Sequence, residues 1–472
     1  MSKITTLAEY ATIQGGYAYK STDFLKTGKF KVLKIKNIRF GYIDYSETDF
    51  ISNQLSKKTE EWKTKPKDIL ISMTGSGPNA PASLVGRVAR VGENEPISFI
   101  NQRIGRVVVN EKVDSDYIYY LLSQKSSQEY FVNNSTGSAN QVNINGNTIL
   151  SLEVPCISFE ESKKIAQILN AFDEKIHLNT QINQTLEQIA QALFKSWFVD
   201  FEPVRAKVQA LSDGLSLEQA ELAAMQAISG KTPEELTALS QTQPDRYAEL
   251  AETAKAFPCE MVEVDGVELP KGWVVKRIDE IANIIKGKSY KSSELEKSKT
   301  ALVTLKSFNR GGGYRLDGLK EYTGKYKPEQ EVFAGELIIA YTDVTQAADV
   351  IGKPAMVMSD SNYQHLVISL DVGVVRPFND VYKHFLYCLA MTDSFQAHTK
   401  SFCTGTTVLH LGKDAVPSFE FINPSNELLH VFYKQTSPIF EKINLHIEEN
   451  KNLEKARDLL LPRLLNGEMI DA

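Results

Sequence analysis

The feature that most constrains this chain is that it is written twice. Leu7-Ala8-Glu9 with Ala11 and Ile13 returns as Ile278-Asp279-Glu280 with Ala282 and Ile284, and Tyr19-Lys20-Ser21 returns as Tyr290-Lys291-Ser292. Allowing small insertions, Val32-Leu33-Lys34-Ile35-Lys36 parallels Leu302-Val303-Thr304-Leu305-Lys306. The run from Asp68 to Thr74 parallels that from Glu336 to Thr342, and Val85-Gly86-Arg87 parallels Ile351-Gly352-Lys353. Gln102-Arg103-Ile104 is matched to Gln364-His365-Leu366, and Thr136-Gly137-Ser138 to Thr404-Gly405-Thr406. The segments that follow match as well: Glu174-Lys175-Ile176 with Leu178, Asn183 and Leu186 recurs as Glu441-Lys442-Ile443 with Leu445, Asn450 and Leu453. A period this long is no solenoid repeat; it is a duplicated module with a helix behind it.

Within each module, short β-branched runs lie between turn signals. Ile69-Leu70-Ile71, Val85 to Val91, Val107 to Val109 and Val372 to Val375 read as strands, and Tyr117 to Leu122 and Tyr382 to Leu389 as short helices. The segments behind the modules have helical periodicity. Ser158 with Glu160 and Glu161 opens the first, whose apolar positions run from Ile165 to Leu193 without Pro or Gly. About 40 residues at 1.5 Å each reach roughly 60 Å. The second spans about Glu427 to Leu461, and Pro438 is expected to break or kink it. Two apolar stripes in one chain suggest each other as partners in an antiparallel coiled coil, with Asn179, Asn183, His446 and Asn450 setting its register. The alternative is that each helix packs on its own module. The fold class is thus mixed α/β (α+β), two pseudo-symmetric globular domains separated by long antiparallel coiled-coil helices. The boundaries read as a first module at 1–157, a helical spacer at 158–201, an acidic helical connector at 202–268, a second module at 269–424 and a C-terminal helical spacer at 425–472. In the connector, Ser216 and Thr232-Pro233 start helices, and Val262 to Val264 and Val267 to Leu269 flank Asp265-Gly266 as a hairpin.

Charge is unevenly spread. The chain carries −6 overall, but residues 1–155 are +4 and residues 271–424 are +2, while residues 202–268 are −8. Two mildly basic modules suit a nucleic-acid partner better than the total suggests. Four cysteines exclude a disulfide scaffold. Cys388, Cys403, His384, His398 and His410 cluster in sequence, but at intervals unlike common zinc spacings, so no metal is expected. No signal peptide or apolar membrane span is legible, so a cytoplasmic protein without membrane contact is expected. Phosphate-cradling, dinucleotide, zinc-hydrolase and nucleophile-elbow motifs are all missing, as is an Asn-Pro-Pro-aromatic or Asp-Pro-Pro-aromatic segment. An enzyme is therefore not expected, and no cofactor is expected in this chain.

What remains suits DNA binding. Thr136-Gly137-Ser138 and Thr404-Gly405-Thr406 with Thr407 offer hydroxyls and open backbone N–H groups to phosphate, as do Thr74, Thr342, Ser21 and Ser292. Asn140-Gln141, Asn101-Gln102-Arg103, and Gln364-His365 carry groups able to meet base edges. Tyr19, Lys20, Lys36 and Arg87, with Tyr290, Lys291 and Lys306, complete the candidate DNA-binding set. Each also has an ordinary reading as a turn or loop residue.

The run from Ala192 to Val204, Ala-Leu-Phe-Lys-Ser-Trp-Phe-Val-Asp-Phe-Glu-Pro-Val, closes the first spacer helix. Leu269-Pro270-Lys271-Gly272-Trp273 introduces the second module, and Leu461-Pro462-Arg463-Leu464-Leu465-Asn466-Gly467-Glu468 ends the chain. With the duplication, these segments resemble the specificity subunit of type I restriction–modification enzymes along essentially the whole chain. The resemblance implies two target recognition domains, each reading one half of a bipartite double-stranded DNA site in the major groove. It implies helices that fix the spacing and dock two methyltransferase subunits, with Phe194, Trp197, Phe198, Phe201, Leu461, Leu464 and Leu465 as candidate docking residues. S-adenosylmethionine is then expected on those partners, and motor–nuclease subunits join them. Segment 202–268 departs from the pattern as a sizeable insertion. A coiled-coil scaffold without a DNA role and an unrecognised methyltransferase or nuclease are the competing readings.

Overall fold

A computed structural model describes residues 3–77, 84–138, 141–343, 348–406 and 408–465. They form two compact units, residues 1–177 with 451–472, and residues 178–450. Each unit holds one module together with one end of each long helix, Phe159–Phe198 and Asn426–Leu465.

In the first unit the main sheet is antiparallel, ordered Ala11–Gly15, Ile104–Val109, Ile69–Ser72, Val88–Arg90. Ile69–Ser72 has neighbours on both sides and is buried throughout, which explains a continuous apolar run where a half-exposed strand would alternate. A second sheet is ordered Asp49–Ile51, Phe30–Leu33, Ser98–Ile100, its last pair parallel. A small ribbon is ordered Thr136–Ser138, Gln141–Asn143, Thr74–Gly75.

The second unit repeats all three. Its main sheet is Ala282–Lys286, Val372–Pro377, Leu337–Ala340, Pro354–Met356. Its second sheet is Lys320–Glu321, Thr300–Val303, His365–Ile368, Glu331–Val332, again with one parallel pair. Its ribbon is Cys403–Thr404, Leu409–Leu411, Thr342–Asp343. The strand expected from Val85 is shorter, because the left-handed Gly86 turns there and donates to Ser72 O.

Strand register corrects one of the sequence matches. Gln102 N donates to Tyr17 O, and the corresponding bond in the second unit is Leu370 N to Lys288 O. Arg103 O accepts from Met73 N, and Asp371 O from Tyr341 N. Gln102-Arg103 is therefore equivalent to Leu370-Asp371, and not to Gln364-His365. Two glycines mark the same equivalence: a Cβ on Gly16 would lie 2.2 Å from Asn101 O, and one on Gly287 2.1 Å from Ser369 O.

The first long helix begins with a reciprocal cap. Ser158 N donates to Glu161 Oε2 at 3.0 Å and Glu161 N to Ser158 Oγ at 3.3 Å. The second runs from Asn426 to Leu465 without interruption, so Pro438 does not break it. One missing N–H is tolerated because Thr436, Phe440 and Ile443 on either side are buried. In the second unit the two helices pair antiparallel. Asn179 Nδ2 donates to Asn450 Oδ1 and to Glu449 Oε2, both at 2.8 Å; four residues on, Asn183 Oδ1 lies 2.8 Å from His446 Nδ1, four residues back. Asn179 and His446 are buried, and their polar atoms meet only at this register.

Past Phe198 the chain turns through a left-handed Phe201 into four helices, Glu202–Ser212, Leu217–Ser229, Pro233–Thr242 and Pro244–Ala256. Asp265 and Gly266, both with positive φ, close the hairpin Met261–Val264 to Val267–Pro270. This acidic segment is fixed to the second unit. Lys434 of the second long helix pairs with Glu249 at 2.6 Å, and Phe257 packs on Trp197 of the first at 5.2 Å between centroids. Inside the segment, the buried Lys207 ammonium donates to Phe257 O at 2.7 Å and Arg205 pairs with Glu268 at 2.8 Å.

Modules meet helices through different chemistry in the two units. In the first the contact is polar and ionic. Arg90, held by Asp116 at 2.6 Å, reaches Asn170 at 3.0 Å and Asp173 at 4.0 Å on the first long helix, and Asp173 takes Tyr120 Oη and Arg457 of the second helix at 2.6 Å each. In the second, His384 stands where Asp116 stands in the first. Its ring stacks on Tyr433 and Phe440, and Nδ1 lies 2.8 Å from Thr436 Oγ1. Burial pushes the His384 pKa from its ordinary value near 6.5 to about 4, with Lys383 adding to the shift. The unfolded chain therefore takes up a proton at this site as pH falls from about 6.5 to 4, while the folded chain does not. The second unit is expected to lose up to about 3 kcal/mol of stability across that window. Denaturant midpoints at several pH values should show this slope, and His384→Phe should flatten it; an unchanged slope would exclude His384 as its source.

Candidate nucleic-acid interface

Gln102, Arg103, Thr136, Gln141 and Lys36, exposed candidates of the first module, are tied to one end of the strand Ile69–Ser72. Met73, directly after it, donates to Arg103 O and accepts from Ile144 N, joining the loop that carries Gln102 and Arg103 to the ribbon that carries Thr136 and Gln141. Gln102, Arg103, Thr136 and Gln141 are exposed, and Asn101 is half-buried. Ser72 Oγ accepts from Arg87 N, and Arg87 Nη2 donates to Ile35 O at 2.8 Å, bracing the turn Ile35–Asn37 that presents Lys36 to solvent. Asn37 is buried beneath that turn, its Nδ2 donating to Asp44 O and Glu47 O. Lys36 itself lies 3.3 Å from Glu47 in an exposed pair, which screening keeps weak.

Arg87 is thus a support and not a contact: it is buried, and burial lowers its pKa. Thr74 and Thr342 likewise are not contacts, because both are buried on the edge strands of the ribbons. Gly137 and Gly405 take positive φ, and a Cβ there would lie 2.5 Å from Gln141 O and 2.1 Å from Val408 O, so the ribbons require glycine. Thr404, Gly405 and Thr406 are exposed, as is Lys306 on the turn Leu305–Ser307. Asn140, Thr407 and the side chain of Ser138 lie outside the described residues.

The Tyr-Lys-Ser motifs have another explanation. Tyr19 is buried, donates to Thr59 Oγ1 at 3.1 Å, and has its pKa pushed up to about 12 by burial. Lys20 N and Lys291 N donate to Asp23 and Glu294, closing the short turns that begin at Ser21 and Ser292. The Lys20, Ser21, Lys291 and Ser292 side chains are exposed, and Tyr290 accepts from Lys320 Nζ at 3.0 Å. The motif recurs because the turn recurs. Gln364 is exposed, and His365 is held by Glu331 at 2.7 Å, away from the position equivalent to Arg103. Sequence reasoning passed over Asn143 and His410, both exposed on the middle strands of the ribbons and both paired to a threonine on either side. The first hairpin is one residue longer than the second, which hides their equivalence from any fixed offset. Among the described residues no cluster of three or more metal-ligating side chains occurs.

The sequence pattern of the Type I restriction modification DNA specificity domain matches residues 2–188 and 270–455, the two copies of the repeat. The chain is 39% identical over 475 residues to the Type I restriction enzyme HindI specificity subunit of Haemophilus influenzae, covering 96% of this chain and 95% of that one. It belongs to the type I restriction–modification specificity-subunit family. The MjaIX specificity subunit of Methanocaldococcus jannaschii is 27% identical, over 78% of this chain and 72% of its own. A crystal structure of a type I restriction–modification S subunit from M. genitalium aligns with 98% of this chain and 96% of its own, at 17% identity and a TM-score of 0.47.

The residues that carried the resemblance to specificity subunits have a different place than expected. Phe194, Trp197, Phe198 and Phe201 are buried in the core of the second unit with Phe257, Trp273, Phe385 and Phe432. Leu461, Leu464 and Leu465 are buried in the core of the first with Ile165 and Leu169. Neither set offers a docking face, because each closes the chain's own core. The large apolar side chains exposed on the described long helices are others: Leu178, Ile189 and Leu445 in the second unit, and Phe159, Ile168 and Leu459 in the first. No described helix is long and apolar enough to cross a membrane.

Proposed function

We propose that this specificity subunit reads a bipartite DNA sequence, one half with each module, and supplies no catalytic group itself. The observation that carries this reading is the duplicated scaffold. Two modules of the same topology bring a cationic turn, a loop and a Thr-Gly ribbon together, with different exposed residues on the same frame. The paired helices set the distance between half-sites, and polar contacts such as Asn183 with His446 hold their register. Two methyltransferase subunits carrying S-adenosylmethionine dock on the helices, where Leu178, Ile189 and Leu445 are exposed in the second unit and Ile168 and Leu459 in the first. Motor–nuclease subunits complete the restriction enzyme, which works in the cytoplasm.

The test is salt-dependent binding by the assembled methyltransferase complex. Affinity for a site-bearing duplex is expected to fall steeply and log-linearly with salt. Lys36→Ala is expected to weaken binding to all sequences alike and to reduce the salt slope by about 1. Salt-independent assembly with no affinity for DNA would instead support a scaffold.

A further inference from the structure

The two ribbons present the same row of three side chains, differing only in the middle. Direct cross-strand partners share a face. In the first module Asn143 lies between Thr74 and Thr136, and in the second His410 lies between Thr342 and Thr404. In each row one threonine is buried and the other exposed, and the central residue is exposed. The ribbon carries the row in the same way: Ile144 and Leu411, each directly after the central residue, are buried, and Gly137 and Gly405 take positive φ beside the row. Building on the DNA-reading function above, we propose that Asn143 and His410 are the equivalent base-reading residues of the two modules, and that their difference makes the two half-sites differ.

The side-chain chemistry favours direct readout over support. The buried Thr74 hydroxyl donates to Asn143 Oδ1 at 2.7 Å. That bond orders the carboxamide before any ligand arrives and fixes which end faces outward. With Oδ1 engaged, the amide NH2 is the group presented, a donor pair suited to the acceptor edge of guanine (O6, N7) or to thymine O4. A narrow ribbon of this kind fits the width of the major groove. The exposed Thr136 and the open backbone at Gly137 suit the flanking phosphate, which positions without reading sequence. In the second module the same seat holds an imidazole, which has a different donor–acceptor pattern and shape. Identical flanks and a changed centre are what two readers on one scaffold require.

The experiment uses the full chain assembled with its methyltransferase subunits and scores methylation across a library randomised in both half-sites. Asn143→Ala is expected to relax discrimination at one base pair of the first half-site by about 10- to 100-fold, leaving the second half-site unchanged. His410→Ala is expected to do the reverse. Asn143→Asp keeps the shape and removes the donors, so it should change the preferred base at that same pair. If both Asn143 variants melt like the parent and methylate with an unchanged sequence preference, the assignment is wrong while DNA reading stands. Uniform weakening on all sequences by both variants would also overturn it, since it marks a phosphate contact. Failure of the parent complex to show any bipartite preference would instead remove the reading on which the assignment rests.

Discussion

Trp197→Ala is expected to destabilise the second unit by about 3–5 kcal/mol, the range for truncating a large buried aromatic. Trp197 is 0% exposed and makes edge contacts with Phe198, Phe257 and Phe432 at 6.0, 5.2 and 6.1 Å between ring centroids. These neighbours come from the first long helix, the chain after the connector helices and the second long helix, so one cavity would loosen three elements. The cost arises from lost packing alone: Trp197 Nε1 has no hydrogen-bond partner among the described residues, so no polar bond is broken with the ring. Trp197→Phe is accordingly expected to cost only about 1–2 kcal/mol. Urea titration of the purified chain compares the two. A loss below about 1 kcal/mol for Trp197→Ala would mean that this aromatic cluster does not hold the unit together.

Asp173→Ala is expected to lower the stability of the first unit by about 2–3 kcal/mol, somewhat less than for a fully buried ion pair because the group is partly solvated. Asp173 accepts from Arg457 Nη1 at 2.6 Å and from Tyr120 Oη at 2.6 Å. Asn170 joins this pair to the next, accepting from Arg90 at 3.0 Å and donating to Asp116 at 2.8 Å. Removing the carboxylate leaves Arg457 without its strongest partner and leaves the Tyr120 hydroxyl only Asn170 Oδ1, at 3.0 Å, while Arg90 keeps Asp116. The carboxylates at positions 173 and 458 hold the Arg457 guanidinium protonated well beyond its usual range despite burial. The double variant Asp173→Ala/Arg457→Ala should lose less than the sum of the single variants, because the second change removes the stranded charge. Strict additivity would show that the two groups do not act together. The seat of the second module is aromatic, so its stability should respond less to salt than that of the first.

The sequence made the architecture readable because a duplication tests itself: periodicity found both long helices, and polar residues on their stripes marked the seam. What failed did so for physical reasons. A proline at position 438 looks like a helix end in isolation, but burial of the turns around it outweighs one missing hydrogen bond. An aromatic run from Phe194 to Phe201 has the same pattern whether a partner or the chain's own second unit covers it, and only the folded chain shows which. The match of Gln102-Arg103 to Gln364-His365 rested on residue likeness, whereas the backbone bonds of Tyr17 and Lys288 set the true equivalence. Lys36, Arg103, Thr136 and Gln141 were legible as exposed polar positions, but Thr74 and Arg87 have the same chemistry and serve beneath them. Burial, which no local pattern reports, separates contact from support.

The central claim is that each module reads its own half of one interrupted site. It is tested most directly by mapping methylated adenines across the genome of cells that carry either this chain or a version with residues 1–157 replaced by the corresponding module of a relative. One half-site is expected to change, with the other half-site and the spacing between them preserved. Change in both halves, or in the spacing, would contradict the account.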